Sequence, residues 1–125
     1  MKNKNKKRTS RVGLRYKGRK VFVNVEKING LRKGIGLMFA RRDSAKALLF
    51  DFHGKTKLLL HSFFVFFPFL AIWLDDKNKI LEIKTVRPFS LNILSEKTFS
   101  KVVEIPLNQK YKKITEKLVG KERFK

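Results

Sequence analysis

A mainly β fold is predicted for this 125-residue chain: a compact domain of the sandwich or barrel kind, with a short helix or turn near the N-terminus and a basic C-terminal helix. Three observations predict it. Hydrophobic residues make up 42% of the chain and include twelve Phe, enough for a folded core. Those residues cluster in short β-branched and aromatic runs separated by turn residues. The longest run, Leu58–Leu74, is interrupted by Pro68 and followed at hairpin spacing by a further strand pattern.

Residues 1–20 hold ten Lys or Arg and no acid. Val12 and Leu14 cannot supply the apolar core of an export signal, and residues 1–17 are expected to form a disordered basic arm because like charges repel. The β domain is placed at 18–108. Val21–Val25 reads as its first strand, and Glu26 to about Lys33 as the short helix or turn, weakened by Gly30 and Gly34. Arg41–Ser44 is a polar turn, Ala47–Phe52 a strand and His53–Thr56 a turn. After the long run, Asp75–Asn78 is a hairpin-type turn and Ile80–Val86 the next strand. Residues 88–100 form a Ser/Asn-rich connection, and Lys101–Pro106 a last strand. In the tail, 109–125, Tyr111, Ile114 and Leu118 share one helix face and Gly120 ends the helix.

Leu58–Leu74 spans 17 residues, the lower limit for crossing a bilayer. His61, Ser62 and a mid-span Pro68 oppose a membrane helix, and the Phe, Val, Ile and Trp content favours strands. The segment is read as buried sheet, and the chain as a soluble, cytoplasmic protein without a transmembrane span.

Five segments in order resemble a known family: GLMF (Gly36–Phe39), ALLFDF (Ala47–Phe52), LHSFFVFFPFLAIWLD (Leu60–Asp75), KILEIKTVRPF (Lys79–Phe89) and KVVEIPLN (Lys101–Asn108). Together they are similar to domain of unknown function 192, over about residues 20–110. The motif positions are Gly36, Leu37, Met38, His61, Pro68 and Asp75. The resemblance implies a compact β domain and brings no established activity. This chain departs from the family pattern at Val65 (usually Met), Phe66 (usually Arg) and Leu70 (usually Asp), which removes a polar pair that a family site would use.

No catalytic residue, metal site or cofactor is expected, and the protein is read as a non-enzyme. Cysteine is absent, which excludes disulfides and thiolate metal sites. His53 and His61 show no metal-ligand spacing, and Asp75-Asp76 fits turn chemistry better than acid–base work. Gly30, Gly34 and Gly36 match neither the dinucleotide fingerprint nor the P-loop, and no serine sits in a nucleophile elbow. The aromatic run is assigned mostly to the core.

Thirty-one Lys and Arg against ten acids give a net charge of +21, which attracts polyanions. The expected partner is nucleic acid, RNA above all, with an anionic lipid surface as another candidate. The residues expected to contact phosphates are Lys2, Lys4, Lys6, Lys7, Arg8, Arg11, Arg15, Lys17, Arg19 and Lys20, joined by Arg41 and Arg42 and by tail lysines such as Lys110 and Lys117. Six or more such contacts would cost about 10³–10⁵ in affinity between 50 and 200 mM salt. The alternative function is a small-ligand or carbohydrate-binding β module with incidental charge.

Overall fold

The structure, a computed structural model, describes residues 8–28, 37, 40–56, 59–60, 65–89, 93–95 and 97–120. Its strands are β1 (Arg8–Tyr16), β2 (Arg19–Ile28), β3 (Leu48–Thr56), β4 (Leu59–Leu60), β5 (Phe69–Leu74), β6 (Ile80–Val86), β7 (Ile93–Leu94) and β8 (Phe99–Pro106). A 3-10 turn at Gln109–Tyr111 leads into the one helix of the described residues, α1 (Lys112–Val119). Gly120 closes α1 with a positive φ, its N–H donating to the Glu116 carbonyl at 3.0 Å.

Six strands form one sheet in the order β1-β2-β3-β8-β5-β6, and β4 pairs with β7 in a separate small ladder. Neighbours in the sheet are antiparallel except β2 and β3, which run parallel. The sheet curls into a half-barrel. Its two edges meet at one point: the Arg15 N–H donates to the Asn78 carbonyl at 2.9 Å, and Arg15 bridges to Lys79. The chain is thus mainly β with a C-terminal helix, as its composition predicts.

Both faces of the sheet are covered. All six side chains of β5 are buried, Phe69, Ala71 and Trp73 on one face and Leu70, Ile72 and Leu74 on the other. The second set packs with Leu14, Val23, Val25, Leu49, Val103 and Ile105 inside the curl, where Tyr111 and Leu118 close the core. The first set packs with Phe50, Phe99 and Val102 under Leu37, Ala45, Val65, Phe67 and Ile93. A strand buried on both faces needs an unbroken apolar run. That accounts for the 69–74 part of the run that mimics a membrane helix. Among the described residues, no helix is long and apolar enough to cross a membrane.

The structure corrects five expectations. Residues 8–16 are not an arm but an edge strand paired with β2 along its whole length. Lys17 and Gly18 make the two-residue turn, both at positive φ (50° and 77°). Val12 and Leu14 point into the core opposite Val23 and Val21, while Arg11 and Arg15 stay exposed. Two buried side chains and a full ladder of backbone hydrogen bonds outweigh the charge repulsion, which water screens between exposed groups. Residues 1–7 lie outside the described residues.

Glu26–Ile28 extends β2 instead of starting a helix, because it pairs with Leu48–Phe50 of β3. The rest of that predicted element falls outside the described residues. His53–Thr56 belongs to β3, as an irregularity in the pairing with β8 in which His53 (φ 57°) and Gly54 (φ 148°) bend the chain. The predicted connection 88–100 contains β7. The stretch Leu58–Phe67 contributes only the short β4 and a non-strand segment at 65–67 among its described residues.

Candidate polyanion interface

The β1–β2 turn concentrates cations at the exposed tip of the hairpin. Arg15, Lys17, Arg19 and Lys20 are all exposed there. The Arg15–Lys79 bridge brings a fifth cation from the start of β6, more than fifty residues away in sequence. Together with Tyr16 and Gly18 these five line a depression of about 360 Å³ that has no carboxylate in its wall. Behind it, Lys101 Nζ donates to Asn78 Oδ1 at 2.8 Å, on the residue whose carbonyl holds Arg15.

The adjoining turn is rigid. Asp75 Oδ1 accepts from the backbone N–H of Lys77 (2.8 Å) and Lys79 (2.9 Å), and the Asp75 N–H donates to the Lys79 carbonyl (3.0 Å). Asp75 therefore has the turn role expected of it, and it fixes Lys79 in place. A larger depression of about 700 Å³ continues from the first through Tyr16, Lys17 and Arg19. It runs along β6 to Thr85 and under the end of α1 at Lys117–Gly120.

The other predicted phosphate contacts disperse. Arg11 lies over the Phe22 ring at 4.3 Å on a different surface. Gly13 leaves room for that ring: a Cβ there would come within 2.9 Å of Phe22 Cε1. Arg42 Nε donates to the Leu107 carbonyl at 2.7 Å, a structural clamp, and Arg41 is exposed beside it. Only the backbone of Arg8 is described, and Lys2, Lys4, Lys6 and Lys7 lie outside the described residues. Lys79 is the contributor that sequence reasoning misses. Its neighbours on β1 become visible only when the sheet edges meet.

Of the family-motif positions, Leu37 is buried and the Pro68 carbonyl accepts from the Leu107 N–H at 3.1 Å. Gly36, Met38 and His61 fall outside the described residues. Phe66 is exposed whereas Leu70 is buried inside the curl, so these two departures share no site. His53 is exposed, with Nδ1 3.8 Å from Asp51 Oδ1, and its N–H donates to the same oxygen at 2.8 Å. Among the described residues, no cluster of three His, Cys, Asp or Glu could hold a metal ion.

A third depression, of about 400 Å³, lies between β2 and α1. Arg11, Lys46 and Lys110 line it together with Phe22 and the buried Glu26 and Tyr111. The Tyr111 hydroxyl oxygen accepts from the Ala47 N–H at 2.8 Å. Burial pushes the phenol pKa up, the Ala47 bond opposes that rise, and the nearby Glu26 adds to it.

Two solved structures share the fold. A protein from Sinorhizobium meliloti 1021, described as a candidate transcription regulator, is similar with a TM-score of 0.66 and 22% identity over 80% of this chain and 79% of its own. A protein of unknown function from Novosphingobium aromaticivorans DSM 12444 is similar with a TM-score of 0.68 and 13% identity over 85% of this chain and 78% of its own. No curated protein matches the sequence. The family model for DUF192, described as an uncharacterised ACR, matches residues 15–115, from the cation-bearing turn to the middle of α1, and the chain belongs to that family.

Proposed function

We propose that this protein is a non-enzymatic binder of polyanions, with RNA as the expected partner, and that the β1–β2 turn is its principal contact. The supporting observation is the depression walled by Arg15, Lys17, Arg19, Lys20 and Lys79 with no carboxylate among them. Five cations around one concavity focus a stronger positive potential than the same charges spread over a convex surface. The binding is backbone-directed and poor in sequence information. The candidate-regulator description of the S. meliloti protein is consistent with a nucleic-acid partner but belongs to that protein.

The test is titration of the full-length protein with a short oligoribonucleotide at about 50 and about 200 mM salt. The triple variant Lys17→Ala/Arg19→Ala/Lys20→Ala should lower the slope of log affinity against log salt by about 2, since each lost single-strand phosphate contact removes about 0.7. All three positions are exposed, so the variant should melt like the wild type. An unchanged slope in a folded variant moves the contact away from this turn. Sedimentation with anionic vesicles in place of RNA binding would assign the cations to a lipid surface.

One observation favours a second reading, a small-ligand module. The 400 Å³ depression combines an aromatic ring under a guanidinium with a buried carboxylate, a setting for an organic ligand bearing both charges. Such a ligand would raise the melting temperature even at high salt.

A further inference from the structure

We propose that the polyanion is bound as an unpaired strand, whose bases stack on Phe66 and Phe89 while its phosphates occupy the cationic turn. The inference rests on the polyanion reading and specifies its partner as single-stranded nucleic acid.

Phe66 and Phe89 are 57% and 53% exposed, and their rings meet edge to face with centroids 5.4 Å apart. Val65 and Phe67 on either side of Phe66 are buried, so the backbone turns this one ring outward. Most large apolar side chains among the described residues are buried. Leaving two aromatics in water forgoes a favourable burial that each could have had. Each of the two residues keeps more than half of its surface accessible to a base, and aromatic–base stacking tolerates any sequence because every base has a π-face.

The pair and the cationic turn lie at opposite ends of one hairpin. β5 and β6 are joined at Asp75–Lys79, beside the five-cation depression. Phe66 precedes β5 by three residues and Phe89 follows β6 by three, which puts both at the far end. The seven residues of β6 span about 23 Å. The 700 Å³ depression follows β6 from the cations as far as Thr85, past Glu82, whose carboxylate Lys84 pairs at 3.4 Å, and Arg87, between Thr85 and Phe89 in sequence, is exposed. One strand laid along β6 therefore meets cations first and aromatics last. That arrangement, cations at one end of the hairpin and exposed rings at the other, suits a backbone with free bases. In a duplex the bases are already stacked on one another and could not use the rings.

The test compares the wild type with Phe66→Ala/Phe89→Ala, using an oligoribonucleotide of about 12 nucleotides, within the ~4–16 that single-strand modules occupy, and a duplex of the same sequence. The double variant should bind the single strand about tenfold or more weakly with its salt slope unchanged, and the duplex as the wild type does. Both rings are exposed, and a matching thermal melt verifies the fold. Equal losses for both probes, or no loss for the single strand, overturn the inference while leaving salt-dependent binding intact. Absence of salt-dependent binding by the wild type sinks the polyanion reading itself, and this inference with it.

Discussion

Raising the pH from about 4.5 to about 8 is expected to destabilise the protein through Glu104, by roughly 5 kcal/mol at most. Glu104 lies on β8, opposite Leu48 of β3 and Ala71 of β5, on the sheet face that carries Phe50, Phe69 and Val102. It is buried, and loss of hydration pushes its pKa from 4.5 up to about 8. Below pH 4.5 the carboxyl is protonated whether the chain is folded or not, and no penalty exists. Between pH 4.5 and 8 the unfolded chain releases the proton and the folded one retains it, so stability falls with each pH unit. Above about 8 both forms are ionised and the full penalty is in place. Glu104→Gln removes the titration. The variant should match the wild type near pH 4.5 within the cost of the amide, and exceed it increasingly up to pH 8. The check is the urea midpoint of both proteins across pH 4.5–9. Comparison with the variant cancels the pH trend that the +21 background imposes on both. Parallel curves would show that Glu104 titrates normally.

The strands most legible in the sequence are those whose burial comes from both sides. Phe69–Leu74 reads as a strand to the residue because nothing polar interrupts it, and Ile80–Val86 follows from the turn that Asp75 makes. The end of α1 at Gly120 is equally plain, since glycine alone tolerates that backbone readily. β1 is hidden by its own charge. Val12 and Leu14 are only two apolar residues among many cations, and the pairing that orders them is supplied by β2 through a Lys-Gly turn that lacks the usual Asn-Gly signal. The candidate site divides the same way. Its residue types follow from composition, whereas their grouping depends on a closure between Arg15 and Lys79 that no local pattern encodes. Arg42, read as a phosphate contact, has a structural use as well: its Nε donates to the Leu107 carbonyl. No sequence spacing distinguishes those two uses.

Asn108→Ala should cost about 3 kcal/mol of stability, a large share of what a domain of this size holds. The Asn108 side chain is buried where β8 passes into the C-terminal turn. Its Nδ2 donates to the carbonyls of Arg42 (2.7 Å) and Ala45 (3.2 Å), and its Oδ1 accepts from the Tyr111 N–H (3.3 Å). With the Tyr111 hydroxyl on the Ala47 N–H and Arg42 on Leu107, it ties residues 42–47 to the start of the helix. Alanine removes the side-chain cap and the donor that the Arg42 and Ala45 carbonyls share, while the Tyr111 N–H keeps the Asn108 backbone carbonyl at 3.2 Å. Water can reach the exposed Arg42 but not the buried Ala45. Asn108→Asp keeps the acceptor for Tyr111 yet sets a carboxylate against two carbonyls, so it should be no milder than alanine at neutral pH. Because α1 carries Lys117 into the wall of the 700 Å³ depression, loosening its first turn should also weaken polyanion binding without touching a cation. Urea denaturation measures the first effect and oligoribonucleotide titration the second. A loss below about 1 kcal/mol would mean that the neighbouring backbone re-pairs without this amide.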